Sequence, residues 1–181
     1  MRIKASESLL LVIDIQSRML PAIDNGQEVL AQATWMVDVA QAIGIPVLAT
    51  EQYPKGLGRT ESNLLSRLPE QQVLEKIHFS AVTGQGLLNT PFSTRRQWVV
   101  VGTEAHVCVQ QTALDLLAAG KEVFIVDEAV GSRKPRDKAL ALQRLRQNGA
   151  EVVSREMVAF EWLEEANTPL FRDVLKRFII L

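Results

Sequence analysis

A chain of 181 residues with 47% hydrophobic and 23% charged residues holds enough apolar material for one sizeable core and is read as a single domain over residues 1–181. Its formal net charge of -1 offers no electrostatic footprint for nucleic acid or an anionic membrane surface. The single cysteine, Cys108, excludes an internal disulfide, and the apolar stretch Leu9–Ile13, stopped by Asp14, is too short for a signal core or a membrane span, so a soluble, cytoplasmic protein is expected.

In chain order, continuous apolar runs ending in polar or glycine residues alternate with longer segments of helical period, the pattern of a parallel sheet covered on both faces. Strands are predicted at Ser8–Asp14, Pro46–Thr50, Val73–Lys76, Gln97–Val101, Glu122–Val126 and Glu151–Val153. Helices are predicted at Asn25–Ile43, Val107–Ala119 and Pro135–Gln147, with Gly44, Gly120 and Gly149 where C-caps are expected. Pro54, Gly56, Gly58 and Pro69 break the pattern between Gln52 and Gln72, and Gly84, Gly86 and Pro91 break it between Phe79 and Arg96, so both stretches read as loops with short helices. Two C-terminal helices follow, Arg155–Glu165 and Pro169–Ile179, whose Phe160, Trp162, Phe171 and Phe178 suit packing on the sheet or on another subunit. The fold class is therefore α/β, a three-layer α/β/α arrangement around six parallel strands.

Ligands of such sheets bind outside the carboxyl ends of the strands, so the polar residues at those ends carry the functional argument. Strand one ends in Asp14, strand two leads into Glu51, strand three ends in Lys76, strand four turns through Gly102 towards Cys108, and strand five ends in Asp127. Cysteine catalysis needs a thiolate, a base or cation to generate and hold it, and donors for the developing oxyanion. Asp14 can accept the thiol proton, Lys76 can hold the anionic pair, and the helix start at Cys108 offers backbone donors. Each residue also has an ordinary structural reading: a small core cysteine, a turn aspartate, a surface lysine. Three strand ends carrying this chemistry together favour the catalytic one. A catalytic thiol of this kind is expected to alkylate fast at pH 7 and to lose that reactivity in Lys76→Ala.

His78 and His106 are the only histidines. His106 lies two residues before Cys108 and is taken as a pocket-rim or capping residue, His78 as a packing residue. There is no His-x-His, no His-Glu-x-x-His and no cysteine pair, so no metal site is expected. T-G-Q-G at Thr83–Gly86 lacks the strand and the spacing of a dinucleotide fingerprint, and no cofactor is implied. The basic residues Arg133, Lys134, Arg136 and Lys138, answered nearby by Asp127, Glu128 and Asp137, read as a solvated loop and helix start.

With Asp14, Lys76 and Cys108 in place, the chain resembles the isochorismatase-like cysteine hydrolases over nearly its whole length. The motifs that carry the resemblance are L-L-L-V-I-D-I-Q (Leu9–Gln16), T-E-Q-Y-P-K-G-L-G (Thr50–Gly58), E-K-I-H-F-S-A (Glu75–Ala81), V-V-G-T-E-A-H-V-C-V (Val100–Val109) and V-D-E-A-V-G-S-R (Val126–Arg133). The second of these is especially similar to the small isochorismatase-domain-containing proteins of bacteria and animal mitochondria. The resemblance implies an Asp14–Lys76–Cys108 triad, a Rossmann-like six-stranded parallel sheet and a homo-oligomer, dimer or tetramer. It also implies a cis peptide between Thr103 and Glu104, with the N–H groups of Glu104 and Cys108 forming an oxyanion hole. Nicotinamidases of this family carry a histidine set for a metal after strand two; this chain has Glu51, Gln52, Tyr53 and Pro54 there.

The resulting expectation is hydrolysis of a small amide or related carbonyl compound through a Cys108 thioester, with Gln16, Gln52, Tyr53, Phe79 and His106 as pocket residues. Vinyl-ether hydrolysis of isochorismate is a second reading, for which Arg59 is the one loop cation available to a carboxylate. A binding or assembly domain that has lost turnover is the third.

Overall fold

Unbroken burial along the central strands follows from their apolar runs, because a strand covered on both faces has no solvent side on which to place polar residues. The computed structural model describes residues 1–84 and 86–179. In chain order the principal elements are β1 (Ser8–Ile13), α1 (Gly26–Ile43), β2 (Val47–Gln52), α2 (Pro54–Leu57), α3 (Ser62–Leu65) and β3 (Val73–Lys76). There follow β4 (Gln97–Thr103), a π-helical turn (Ala105–Val109) running into α4 (Gln110–Ala118), β5 (Glu122–Gly131), α5 (Pro135–Gln147), β6 (Glu151–Val153), α6 (Arg155–Leu163) and α7 (Pro169–Phe178). Short 3-10 turns punctuate the two long loops at Glu70–Gln72, Leu87–Asn89 and Pro91–Thr94. Gln85, in the T-G-Q-G stretch, lies outside the described residues.

The strands form one six-stranded, all-parallel sheet in the order β3-β2-β1-β4-β5-β6. The chain winds outward from β1 in one direction through β2 and β3, then returns beside β1 and winds the other way. That reversal puts the topological switch point, where carboxyl-end loops diverge and open a crevice, between β1 and β4. Alternate residues of β1 point to opposite layers: Leu10 and Val12 join Met36, Val37, Trp162 and Val174 in one core, and Leu9, Leu11 and Ile13 join Leu116, Ala141 and Leu145 in the other. Trp162 is buried and donates its Nε1–H to Ser8 Oγ (2.9 Å), which docks α6 on the start of β1. Phe171 and Phe178 pack against the same core, whereas Phe160 stays exposed with its ring 6.4 Å from that of Phe171.

Two boundaries differ from the sequence expectation in ways that matter to the site. β5 does not stop at Val126. Its pairing with β4 passes from Val100↔Ile125 to Gly102↔Val130, so two steps along β4 match five along β5, and the strand resumes to Gly131. The bulge throws Asp127 out of the crevice to pair with Lys138 Nζ (3.1 Å), so Asp127 is not among the converging strand-end residues. The helix expected from Val107 starts instead at Ala105, as a π turn that contains Cys108, before α4 takes over. β1 ends at Ile13, β2 runs on to Gln52 and β4 to Thr103, and α6 and α7 end at Leu163 and Phe178, differences of one or two residues at fraying ends.

Candidate active site

Asp14 follows directly on β1 and occupies the left-handed region, φ 48°. Its backbone is held from both sides: the N–H donates to Thr50 O (3.1 Å) and the carbonyl accepts from Thr103 Oγ1 (2.7 Å). The carboxylate is buried and fully engaged, with Oδ1 accepting from Thr50 Oγ1 (2.7 Å) and Oδ2 from Lys76 Nζ (2.6 Å). Lys76 ends β3, two strands away from β1, a gap of about 10 Å at the usual strand spacing. A long, straight side chain is what bridges that gap. Gln52, paired in register with Lys76, steadies it on the way: its Oε1 accepts from Lys76 Nζ (2.7 Å), and Phe79 O accepts a further bond (3.1 Å).

Cys108 arrives from the other side of the switch point. The π turn inserts an extra residue into the helix start, a feature that recurs where a side chain must be re-aimed, and the thiol is 6% exposed. Burial pushes the Cys108 thiol up, to about 12; the Asp14 carboxylate beside it pushes the same way by charge and by accepting its hydrogen bond, and Lys76 pulls it down. Burial and the Asp14 charge thus favour the neutral thiol. Both act against fast alkylation at pH 7, and Lys76 acts for it.

Asp14, Cys108, Gln16, Gln52, Phe79 and Thr103 border one small cavity of about 90 Å³, walled further by Met19, Leu57, Glu104 and Val107. The Thr103–Glu104 peptide bond, on the floor of this cavity, is cis. Two residues named from the sequence stand elsewhere. Tyr53 projects into solvent from a left-handed turn, φ 37°, and is 52% exposed. His106 faces away from the thiol, its Nδ1 3.0 Å from Ser132 Oγ and its Nε2 4.0 Å from Asp137 Oδ2, because side chains two apart on a helix do not share a face. His78, taken as packing, is exposed. Gln16 and Gln52 border the cavity as struts: Gln16 Nε2 donates to Gln52 O (3.0 Å) and Gly58 O (2.6 Å), and its Oε1 accepts from the Gln52 N–H (2.8 Å). Among the described residues no three His, Cys, Asp or Glu side chains converge as a metal-ligand set.

These observations meet in a sequence match: residues 8–157 fit the model of the isochorismatase domain. The chain belongs to the isochorismatase family. Isochorismatase family protein 1A of Dictyostelium discoideum is 34% identical over 173 residues, covering 93% of this chain and 84% of the relative. The MAR1 ribonuclease structure from Caenorhabditis elegans superposes with a TM-score of 0.91 at 33% identity, over 97% of this chain and 91% of that one. YcaC of Escherichia coli, described as an octameric hydrolase of unknown specificity, shares the fold with a TM-score of 0.89 at 20% identity, over 98% of this chain and 91% of that one. The three-layer α/β/α fold is thus that of the isochorismatase-family hydrolases.

Two residues named from the sequence, Glu104 and Glu51, have supporting side-chain roles that the sequence did not show. Glu104 and Arg133 pair across the β4–β5 ends, Glu104 Oε2 accepting from both the N–H and the Nε of Arg133 at 3.0 Å, although Arg133 reads as part of a solvated basic run. Glu51 is fully buried and anchors the strap Tyr53–Thr60 that carries Leu57 over the cavity. Its Oε1 accepts from the N–H (2.7 Å) and Oγ1 (2.8 Å) of Thr60 and from Arg59 Nε (3.2 Å), which also lies 2.9 Å from Oε2. Glu51→Ala strands the buried Thr60 donors, and a loss of about 2–3 kcal/mol in urea unfolding is expected. The half-exposed Arg59 pair contributes little of it, so Glu51→Gln, which keeps an acceptor for Thr60, is expected to lose about 1 kcal/mol.

Proposed function

We propose that this protein is a cysteine-dependent hydrolase of a small amide or related carbonyl compound, with Cys108 as nucleophile, Asp14 as proton relay and Lys76 as the cation that holds the pair. The observation that carries the proposal is the meeting of Asp14 and Cys108 at one small cavity, with Lys76 Nζ 2.6 Å from Asp14 Oδ2. Cys108 Sγ attacks the acyl carbon as its proton passes to Asp14. The resulting oxyanion is met by the backbone N–H groups of Glu104 and Cys108. Collapse breaks the C–N bond, and Asp14 returns the proton to the departing amine, leaving a thioester. Water then adds to the thioester carbon and gives a proton to Asp14; the C–S bond breaks and the thiolate takes that proton back. A neutral resting thiol suits this sequence, because the proton leaves as the C–S bond forms, so no standing thiolate is required.

Vinyl-ether hydrolysis of a dicarboxylate such as isochorismate fits less well, since Arg59 is turned to Glu51 and does not border the cavity. Ribonuclease is the name of one relative, and a cavity of about 90 Å³ with a chain charge of -1 gives a nucleotide neither room nor phosphate contacts. The binding or assembly reading is met by the same test as the enzyme. We also place the site in a homo-oligomer: Tyr53, Ile77 and Phe79, 52%, 70% and 52% exposed, cluster around the β2–β3 end of the pocket mouth, where a second copy would cover them.

The test is intact-mass spectrometry after rapid acid quench with a panel of small amides. A mass increment equal to the acyl group, present in the wild type and absent in Cys108→Ala, is the expected result. Turnover of the panel with no loss in a folded Cys108→Ala would overturn the mechanism.

A further inference from the structure

The cavity beside Cys108 differs from an ordinary substrate pocket in that its polar side chains are already in use. Lys76 directs its Nζ protons to Asp14, Gln52 and Phe79 O. Gln16 is bonded at both ends of its amide, and Gln52 spends its Nε2 on Ile77 O (2.6 Å). Glu104 is held by Arg133. Met19, Leu57, Phe79 and Val107 supply the remaining wall, all apolar. Among the described residues no uncommitted cation borders the cavity, whereas two carboxylates, Asp14 and Glu104, do.

A ligand carboxylate entering this space would lose its water and find no counter-charge, a transfer that strongly disfavours an ion relative to a neutral group of the same shape. A neutral carbonyl compound loses far less and retains the backbone N–H groups for its oxygen. Size acts in the same direction. A dry cavity of about 150 Å³ accepts benzene, so about 90 Å³ accommodates roughly four non-hydrogen atoms, with the leaving group passing Phe79 towards solvent. We propose that this site is built for small, uncharged aliphatic carbonyl substrates and excludes anions, the selection being made by the commitment of every polar side chain around an apolar wall. The inference rests on Asp14, Lys76 and Cys108 being the reacting centre; its charge selection is tested without turnover, its size limit with it.

Iodoacetamide and iodoacetate are nearly isosteric and alkylate the same sulfur with loss of iodide, and they differ in one negative charge. Their rates at Cys108 are to be measured at pH 9 by intact mass, each normalised to the rate with glutathione. The normalised preference for iodoacetamide is expected to exceed about tenfold, given the cost of an unpaired anion in an apolar site. A preference below about tenfold, or labelling by neither reagent, overturns the inference. Leu57→Arg places a free cation on the half-buried wall and is expected to bring the ratio back towards that of glutathione; with folding checked by circular dichroism, an unchanged ratio would show that exclusion arises elsewhere and would overturn the proposed cause. Propionamide is expected to be turned over at least about tenfold better than benzamide, since the larger acyl group exceeds the cavity, and equal turnover would overturn the size limit. A strong labelling preference with no amide hydrolysed would reject the hydrolase reading and leave the charge selection standing.

Discussion

Asp14→Asn is expected to move two properties of Cys108 in opposite directions. On the proposed mechanism turnover should fall by about 10²- to 10⁴-fold, because the carboxylate proposed to take the thiol proton and return it to the amine is gone. Alkylation of the same thiol should become faster. The Asp14 charge and its hydrogen bond both favour the protonated thiol, and Lys76 opposes them; removing the carboxylate charge leaves Lys76 unopposed, so the thiol's pKa falls from its value of about 12. Below that pKa the thiolate fraction rises about tenfold for each unit by which the pKa drops, and the alkylation rate follows it. For the wild type the same reasoning gives an iodoacetamide rate that climbs about tenfold per pH unit between 7 and 10 with no plateau. Lys76→Ala removes the one group that lowers the thiol, so it should slow alkylation further. Stopped-flow or quenched labelling alongside an amide-hydrolysis assay reads both properties. Parallel losses in Asp14→Asn would show that the carboxylate activates the resting thiol, contrary to the geometry described.

Gly102→Ala should be the most damaging small substitution near the site. Gly102 adopts φ +129°, and a Cβ there would lie 2.0 Å from the carbonyl oxygen of Ile13, a backbone atom at the β1–β4 ladder that has no rotamer with which to yield. Relief requires β1 and β4 to separate at the point that fixes Asp14 against Cys108. A loss of about 4 kcal/mol or more is expected from the combined backbone and overpacking costs, a large share of a typical domain's stability. Gly120→Ala is the matched control: it also carries a positive φ, +77°, but its Cβ would meet nothing within 4 Å, so only the backbone term of about 1 kcal/mol remains. Denaturant unfolding of the two variants separates sterics from backbone preference. Equal losses would show that the close approach of β1 and β4 does not control stability here.

The apolar runs were sufficient to define the central strands β1, β4 and β5 and the α/β class, since a parallel strand buried on both faces leaves a continuous apolar signal. The short edge strands β3 and β6, with two apolar residues each, were legible only from their place between helical segments and turn residues. Asp14, Lys76 and Cys108 were legible for a related reason: each stands at or just beyond the carboxyl end of a strand, and in a parallel sheet those ends share one edge whatever the order of the strands. Chain position alone could not say where the pocket residues face. His106 and Tyr53 sit beside the right motifs, yet the helical step turns one to Ser132 and a left-handed turn sends the other into solvent. Nor could it show that Gln16, Gln52 and Glu51 are structural struts, because their partners lie 36, 25 and 9 residues away and are set by the register of β2 against β1 and β3. The bulge that removes Asp127 from the crevice and the burial that raises the thiol are likewise products of packing. The sequence by itself determined which chemical groups reach the switch point; tertiary structure decided which of them remain free to act, because hydrogen-bond commitment and desolvation depend on neighbours that only folding supplies.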